Sequence, residues 1–414
     1  MNSQQPIPHS PLLAAGVWML VLAGLLLSCG LCSIGSYFVA PFFARDSANA
    51  IQVNIFLGSF AGLGILFGAV WAWQGILTLR GHATGSAARA LPRVGILVAV
   101  FLIAVLLGMG ALAADSIAAL VFPPFHFLAA ALPPLAFLAY AAHRLGTASG
   151  LRALMVSLGW GALGSTFLAL SLEVVIGVII VIGAGAAFTL TPDGAAWLER
   201  LAAEVESLRA LDDQTVLRRL VTHPGVIAAA GVYFVGIVPV VEEALKTLVV
   251  AFADPRRTTA RDALLWGIAA GAGFAIVENA LNTGVALEIW AVAMVVRVGA
   301  TVMHIANGAT MARGWYAARV EGRWSQLFIA YGVSVFLHAA WNALAIGQGI
   351  GAVFWMNEAR APIEPASPLF WLSLAILLGL IILMFGGAGW IAYAVRTGRE
   401  PAFPKIQMEG DRKA

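Results

Sequence analysis

The chain has 414 residues, of which 61% are hydrophobic and only 11% charged. Soluble domains carry roughly a quarter charged residues, so the composition excludes an ordinary soluble fold and points to an all-α, polytopic membrane bundle. The net charge of +3 is small, and no basic-aromatic patch argues for nucleic acid.

A spanning helix needs about 20 apolar residues. Taken in order, the runs at 12–40, 51–79, 94–114, 116–142, 153–190, 224–253, 263–282, 289–312, 327–346 and 368–396 predict ten spans. The first holds the only cysteines, Cys29 and Cys32. With no other ligand type nearby they read as small residues in a packed helix rather than a redox or metal pair. No Lys or Arg precedes this run, so it is read as a retained span and not a signal peptide. The fourth run is interrupted by Pro123-Pro124 and Pro133-Pro134 and is expected to be kinked or re-entrant. The fifth is too long for a straight span and carries Glu173, so it is expected to tilt or to extend past the bilayer.

Basic residues set orientation. Arg80, Arg89 and Arg93 share one loop, Arg144 and Arg152 another, and Arg256, Arg257 and Arg261 a third. Arg313, Arg319 and Arg323 follow, and the tail has Arg396, Arg399, Lys405, Arg412 and Lys413. Loops near 44–50, 283–288 and 347–367 are poor in basic residues, so ten spans with both termini in the cytoplasm make the pattern consistent. A bacterial inner membrane is the expected location. Between the fifth and sixth spans, Leu198, Leu201, Val205, Leu208 and Leu211 recur at helical spacing. Residues 191–222 are therefore expected to form an extracytoplasmic amphipathic helix, either a surface or lid element or a plain linker.

Chemistry concentrates late in the chain. Pro239-Val-Val-Glu-Glu-Ala-Leu-Lys246 places Glu242, Glu243 and Lys246 inside the sixth span, where an ionisable residue marks a functional site by default. Glu242 and Lys246 share a face, and Glu243 points about 100° round from Glu242. The alternative is a buried ion pair holding helix register. The seventh span carries Gly267 and Gly271, a small-x-x-x-small packing face, then Phe274, Glu278 and Asn279. The eighth carries Arg297 and His304, two turns apart, with Asn307 one turn on. The ninth carries His338 and, on the same face, Asn342. From the proposed cytoplasmic ends, Glu242, Glu278, His304 and His338 all lie roughly 12–23 Å deep, near the middle of the bilayer.

These motifs, E-E-x-x-K, F-x-x-x-E-N, H and H-x-x-x-N in this order, resemble the PrsW family of intramembrane proteases over about residues 236–345. That family is similar to a wider group with CAAX prenyl-proteases and bacteriocin-processing enzymes. Those place a histidine where this chain has Glu278 and an arginine spacing where it has Lys246, which favours the PrsW branch. The resemblance implies peptide-bond hydrolysis in or near the bilayer, by Glu242, Glu243, Glu278, His304 and His338. Lys246, Phe274, Asn279, Arg297 and Asn342 would support them. The family's best-known members cut an anti-sigma factor, a substrate that does not carry over.

The division expected is 1–190 for N-terminal spans, 191–222 for the linker, and 224–346 for a catalytic bundle. Residues 347–414 would hold an extracytoplasmic loop, the last span and a cytoplasmic tail. For hydrolysis, Glu242 is the first choice of base and Glu243 the second, and Asn342 is a candidate oxyanion donor. His304, His338 and Glu278 are candidate ligands for zinc or another divalent ion. No H-E-x-x-H occurs, and the residues fit a metal-free mechanism as well. The partners expected are a membrane protein or peptide substrate and the lipid bilayer. Buried Glu, His, Lys and Arg also mark ion pathways, so a transporter or channel, or an inactive scaffold with the protease fold, is the competing expectation.

Overall fold

In a computed structural model the chain is described over residues 10–43, 47–82, 85–114, 117–146, 150–190, 224–282, 287–358 and 368–398, with a few positions between 195 and 206. The helix expected at 191–222 and the tail beyond 398 lie almost wholly outside the described residues. Ten helices are long and apolar enough to cross a membrane. They are α1 (Leu13–Phe42), α2 (Ala50–Leu79), α3 (Val94–Leu112), α4 (Ala118–Leu145), α5 (Leu151–Gly183), α6 (Pro224–Ala251), α7 (Ala260–Leu281), α8 (Trp290–Arg319), α9 (Trp324–Gly351) and α10 (Pro368–Thr397). No strand occurs among the described residues. The protein is an integral membrane helix bundle, as its composition requires. Cys29 and Cys32 are both exposed and unbridged on α1.

The centre is α7, the most buried span. It packs against α8, α4 and the first half of α5. α6 is held between α5 and α9, and α10 covers α8 and α9. Glycines set the closest crossings. A Cβ on Gly271 would lie 2.5 Å from the His304 carbonyl oxygen, and one on Gly308 would lie 2.4 Å from that of Gly267. Gly273, about 200° round the helix from Gly271, meets α5: a Cβ there would lie 2.0 Å from the Leu158 oxygen. Small residues thus let α7 approach two neighbours at backbone contact.

The proline-rich α4 is one continuous helix with all four prolines inside it, not a re-entrant loop. A proline deletes the N–H that would bond the carbonyl four residues back, and in a bilayer that carbonyl needs another donor. Pro123 frees Ala119, whose oxygen accepts from Asn54 Nδ2 at 2.8 Å. Pro124 frees Leu120, which accepts from Tyr37 Oη at 2.5 Å. Pro134 frees Ala130, which accepts from Asn279 Nδ2 at 3.2 Å. Polar side chains on α1, α2 and α7 therefore repair α4 and fasten to it.

Two spans widen locally. α5 is π-helical over Trp160–Ser165, and α6 over Gly231–Ile237, just before Pro239. In a π turn the Phe234 carbonyl would take the N–H of residue 239, which proline lacks. Asn342 Nδ2 donates to it instead, at 2.8 Å. After Lys246, α6 breaks again at Thr247 (φ −108°, ψ 16°). The nine residues Val238–Lys246 form a short helical block between two irregularities.

Candidate active site

That block, with α7, α8 and α9, brings the sequence-predicted residues together. Lys246 is fully buried. Its Nζ donates to Glu243 Oε1 at 2.6 Å and to His304 Nδ1 at 3.0 Å, and sits 4.4 Å from the centre of the Phe274 ring. An ammonium has three hydrogens and no lone pair, so a carboxylate, an imidazole and a ring face account for all three.

An ammonium can only donate, which fixes the histidine tautomer. His304 Nδ1 accepts from Lys246, so its Nε2 carries the hydrogen and donates to Glu278 Oε2. Glu278 Oε1 takes Arg297 Nη2 at 3.0 Å. Arg297 Nε donates to Asn279 Oδ1 at 2.9 Å, and Asn279 Nδ2 donates to Thr301 Oγ1 at 2.9 Å as well as to Ala130. The chain of bonds runs without interruption from Glu243 to α4. Asn279, Arg297 and Glu278 thus orient His304.

Glu243 and Glu242 differ sharply, although they are adjacent. Glu243 has no exposure, and its Oε1 receives Lys246, His338 Nδ1 at 2.8 Å and Asn307 Nδ2 at 3.2 Å. Asn307 also donates to the Ser334 carbonyl at 3.0 Å, tying α8 to α9. Glu242 Oε2 is buried and has no hydrogen-bond partner among the described residues. It faces His338 Nε2 across 3.6 Å. With His338 Nδ1–H given to Glu243, Nε2 is a bare lone pair. Two acceptors therefore look at each other over a gap that only a proton donor or a cation can bridge.

One oxygen of Glu242 and one nitrogen each of His304 and His338 lie within 4.8 Å of one another. Such a set could hold a metal ion. The orphaned Glu242 oxygen and the lone pair of His338 fit that reading, as does the carboxylate on the far nitrogen of His338, a usual orienting partner of metal-binding histidine. His304 joins only by giving up one of its two bonds. Glu278, a ligand candidate from sequence, has its oxygens against Arg297 and His304, and Glu242 is the third member of the group. Asn342, the candidate oxyanion donor, gives an amide hydrogen to Phe234.

A further histidine, His126 on α4, is fully buried outside the motifs. Trp290 Nε1 donates to its Nδ1 at 2.9 Å, and its Nε2 donates to the Ala280 carbonyl at 2.9 Å. Both nitrogens are satisfied by structural groups, unlike His338. It had no signal in the sequence, because its partners come from α7 and α8.

Because Gly271 touches the backbone of His304, its substitution reaches the site. Gly271→Ala is expected to push α8 off α7 and to lower turnover about a hundredfold or more. Gly332→Ala, where a Cβ meets nothing within 4 Å, should leave it unchanged. Steady-state rates of the two variants check this.

No curated protein and no solved structure matches the chain. Residues 149–363, just over half of its length, match the family described as PrsW family intramembrane metalloprotease. The match takes in α5 as well as the motif-bearing spans α6–α9. The chain belongs to the PrsW family of intramembrane metalloproteases, a family of membrane-embedded peptidases.

Proposed function

We propose that the protein hydrolyses a peptide bond of a membrane-associated protein, with a water activated between Glu242 and His338. The observation that carries this is the pair of facing acceptors, Glu242 Oε2 and His338 Nε2, 3.6 Å apart and deep in the bundle. A water there donates to both. Glu242 takes the proton as the oxygen attacks the carbonyl carbon, and returns it to the departing amine. Glu243 holds His338 in the tautomer that leaves Nε2 free. Lys246 balances Glu243 and orients His304. Glu278, Arg297 and Asn279 complete the support, and Asn342 positions α6 against α9.

The set Glu242, His338 and His304 would hold zinc or a similar ion. When bound, such an ion supplies a Lewis acid and a water of lowered pKa. We place the arginine-rich loops and both termini in the cytoplasm, in a bacterial inner membrane. α5–α9 form the catalytic bundle, and α1–α4 are a scaffold fastened to it through Asn279 and Ala130.

The test is proteolysis of single-span substrates by purified protein in liposomes, read as new termini by mass spectrometry. Wild type should cut, and His338→Ala should lose about a hundredfold or more in rate. Loss with chelator and recovery with zinc supports the ion. Full cleavage by protein free of bound metal removes the ion but leaves the Glu242 mechanism. A wild type that cuts nothing and dissipates an ion gradient replaces the protease with a transporter.

A further inference from the structure

One buried carboxylate has no part in this network. Glu173 lies on α5, with 8% exposure, while Leu172, Val174 and Val175 beside it face outward. With Ser165 and Ala169 it forms the inward stripe of that helix at four-residue spacing. α5 packs against the Val238–Lys246 block. Glu173 is within electrostatic reach of Glu242, Glu278, Lys246 and Tyr233. The Tyr233 ring lies against Gly177, one turn further along α5.

No ion pair to Glu173 is formed among the described residues. Glu173 Oε1 is buried and has no hydrogen-bond partner among the described residues. The site's two cations are already engaged: Lys246 by Glu243, His304 and Phe274, and Arg297 by Glu278 and Asn279. Counted as ionised, Glu173, Glu242, Glu243 and Glu278 outnumber Lys246 and Arg297 by two. A buried carboxylate without a counter-charge is costly, and such a cost persists where function needs it. Nor does Glu173 belong to the group able to hold a metal, which is Glu242, His304 and His338.

The position suggests what supplies the missing charge. α5 and α6 are among the least covered spans; the π turn of α6 contains Tyr233, and that of α5 ends two turns before Glu173. A substrate helix entering from the lipid along this seam would pack beside Glu173 as well as Glu242. Resting on the proteolytic reading above, we infer that Glu173 determines specificity: its carboxylate receives a lysine or arginine side chain of the substrate beside the scissile bond.

The experiment uses three single-span peptides that differ at one position near the cleaved bond, carrying lysine, norleucine or glutamate. Full-length protein in detergent is assayed for cleavage and, by fluorescence anisotropy, for binding. Wild type should favour lysine over norleucine about tenfold in kcat/KM, the scale of one charged hydrogen bond. Glu173→Gln should lose that preference, the lysine-to-norleucine ratio of kcat/KM falling to about one. Glu173→Lys should prefer the glutamate peptide, which a merely structural role cannot produce. Equal use of lysine and norleucine by wild type, or an unchanged preference in Glu173→Gln, overturns the inference. So does an unchanged preference together with lower metal content, which would assign Glu173 to an ion. If wild type cleaves no peptide, the proteolytic reading falls by itself. The inference is then decided by binding, standing if the lysine preference disappears in Glu173→Gln and falling if it does not.

Discussion

Glu242→Gln should abolish proteolysis while leaving the protein as stable as wild type. The amide keeps the volume and an oxygen but cannot take the proton of the attacking water. Loss of a general base costs about 10²–10⁴ in rate, and kcat should bear it with KM little changed. Stability should hold because Glu242 Oε2 makes no hydrogen bond among the described residues. A glutamine there removes an unpartnered buried charge rather than a bond. The measurement is a paired one on the same preparation: kcat and KM on a cleaved single-span substrate, and the apparent Tm in detergent. A variant with unaltered turnover removes Glu242 as the base. A variant that loses activity only because it unfolds shows Glu242 to be part of the packing.

The sequence shows that Glu242 and Glu243 matter but not how they differ. Charge in an apolar span has few explanations, so Glu242, Glu243, Lys246, Glu278, Arg297, His304 and His338 stand out from residue type and position alone. So do ten spans, because hydropathy responds to length and composition alone. What separates the glutamates is the rotation of the Val238–Lys246 block. That is set by the π turn, Pro239, the break at Thr247 and the grip of Asn342 on Phe234. The last of these reaches across more than a hundred residues of chain. The prolines of α4 suggest a broken span for a similar reason: three of the four carbonyls they release are claimed by Tyr37, Asn54 and Asn279 from three other helices. Asn279 reads as a family motif residue, yet its geometry gives it two tasks, holding Arg297 beside Glu278 and repairing α4 at Ala130. Glu173 is visible as an oddity in a hydrophobic run. Only the packing of α5 on α6 connects it with the site.

The opposite result is expected one residue along. Glu243→Gln should lower stability as well as activity. Its carboxylate is the only charge bonded to the buried Lys246 ammonium among the described residues, at 2.6 Å with neither side chain exposed. Removing one partner of a buried pair strands the other and costs about 3–5 kcal/mol. The amide oxygen can still accept from Lys246 and His338, so the missing quantity is charge rather than contact. Activity falls too, because a weaker acceptor at Nδ1 loosens the hold on the His338 tautomer. The double variant Glu243→Gln/Lys246→Met separates the two effects. Taking away the stranded ammonium should restore much of the Tm, since a hydrophobic replacement of a buried pair is often neutral or stabilising. It should not restore cleavage, because His338 still lacks its carboxylate and His304 loses the donor that sets its tautomer. Coupling of this kind is what a double-mutant cycle on apparent Tm reads. Equal Tm values for Glu242→Gln and Glu243→Gln would refute the division of roles between the two glutamates. Recovery of cleavage in the double variant would show that Lys246 and Glu243 serve only to hold the helices in register.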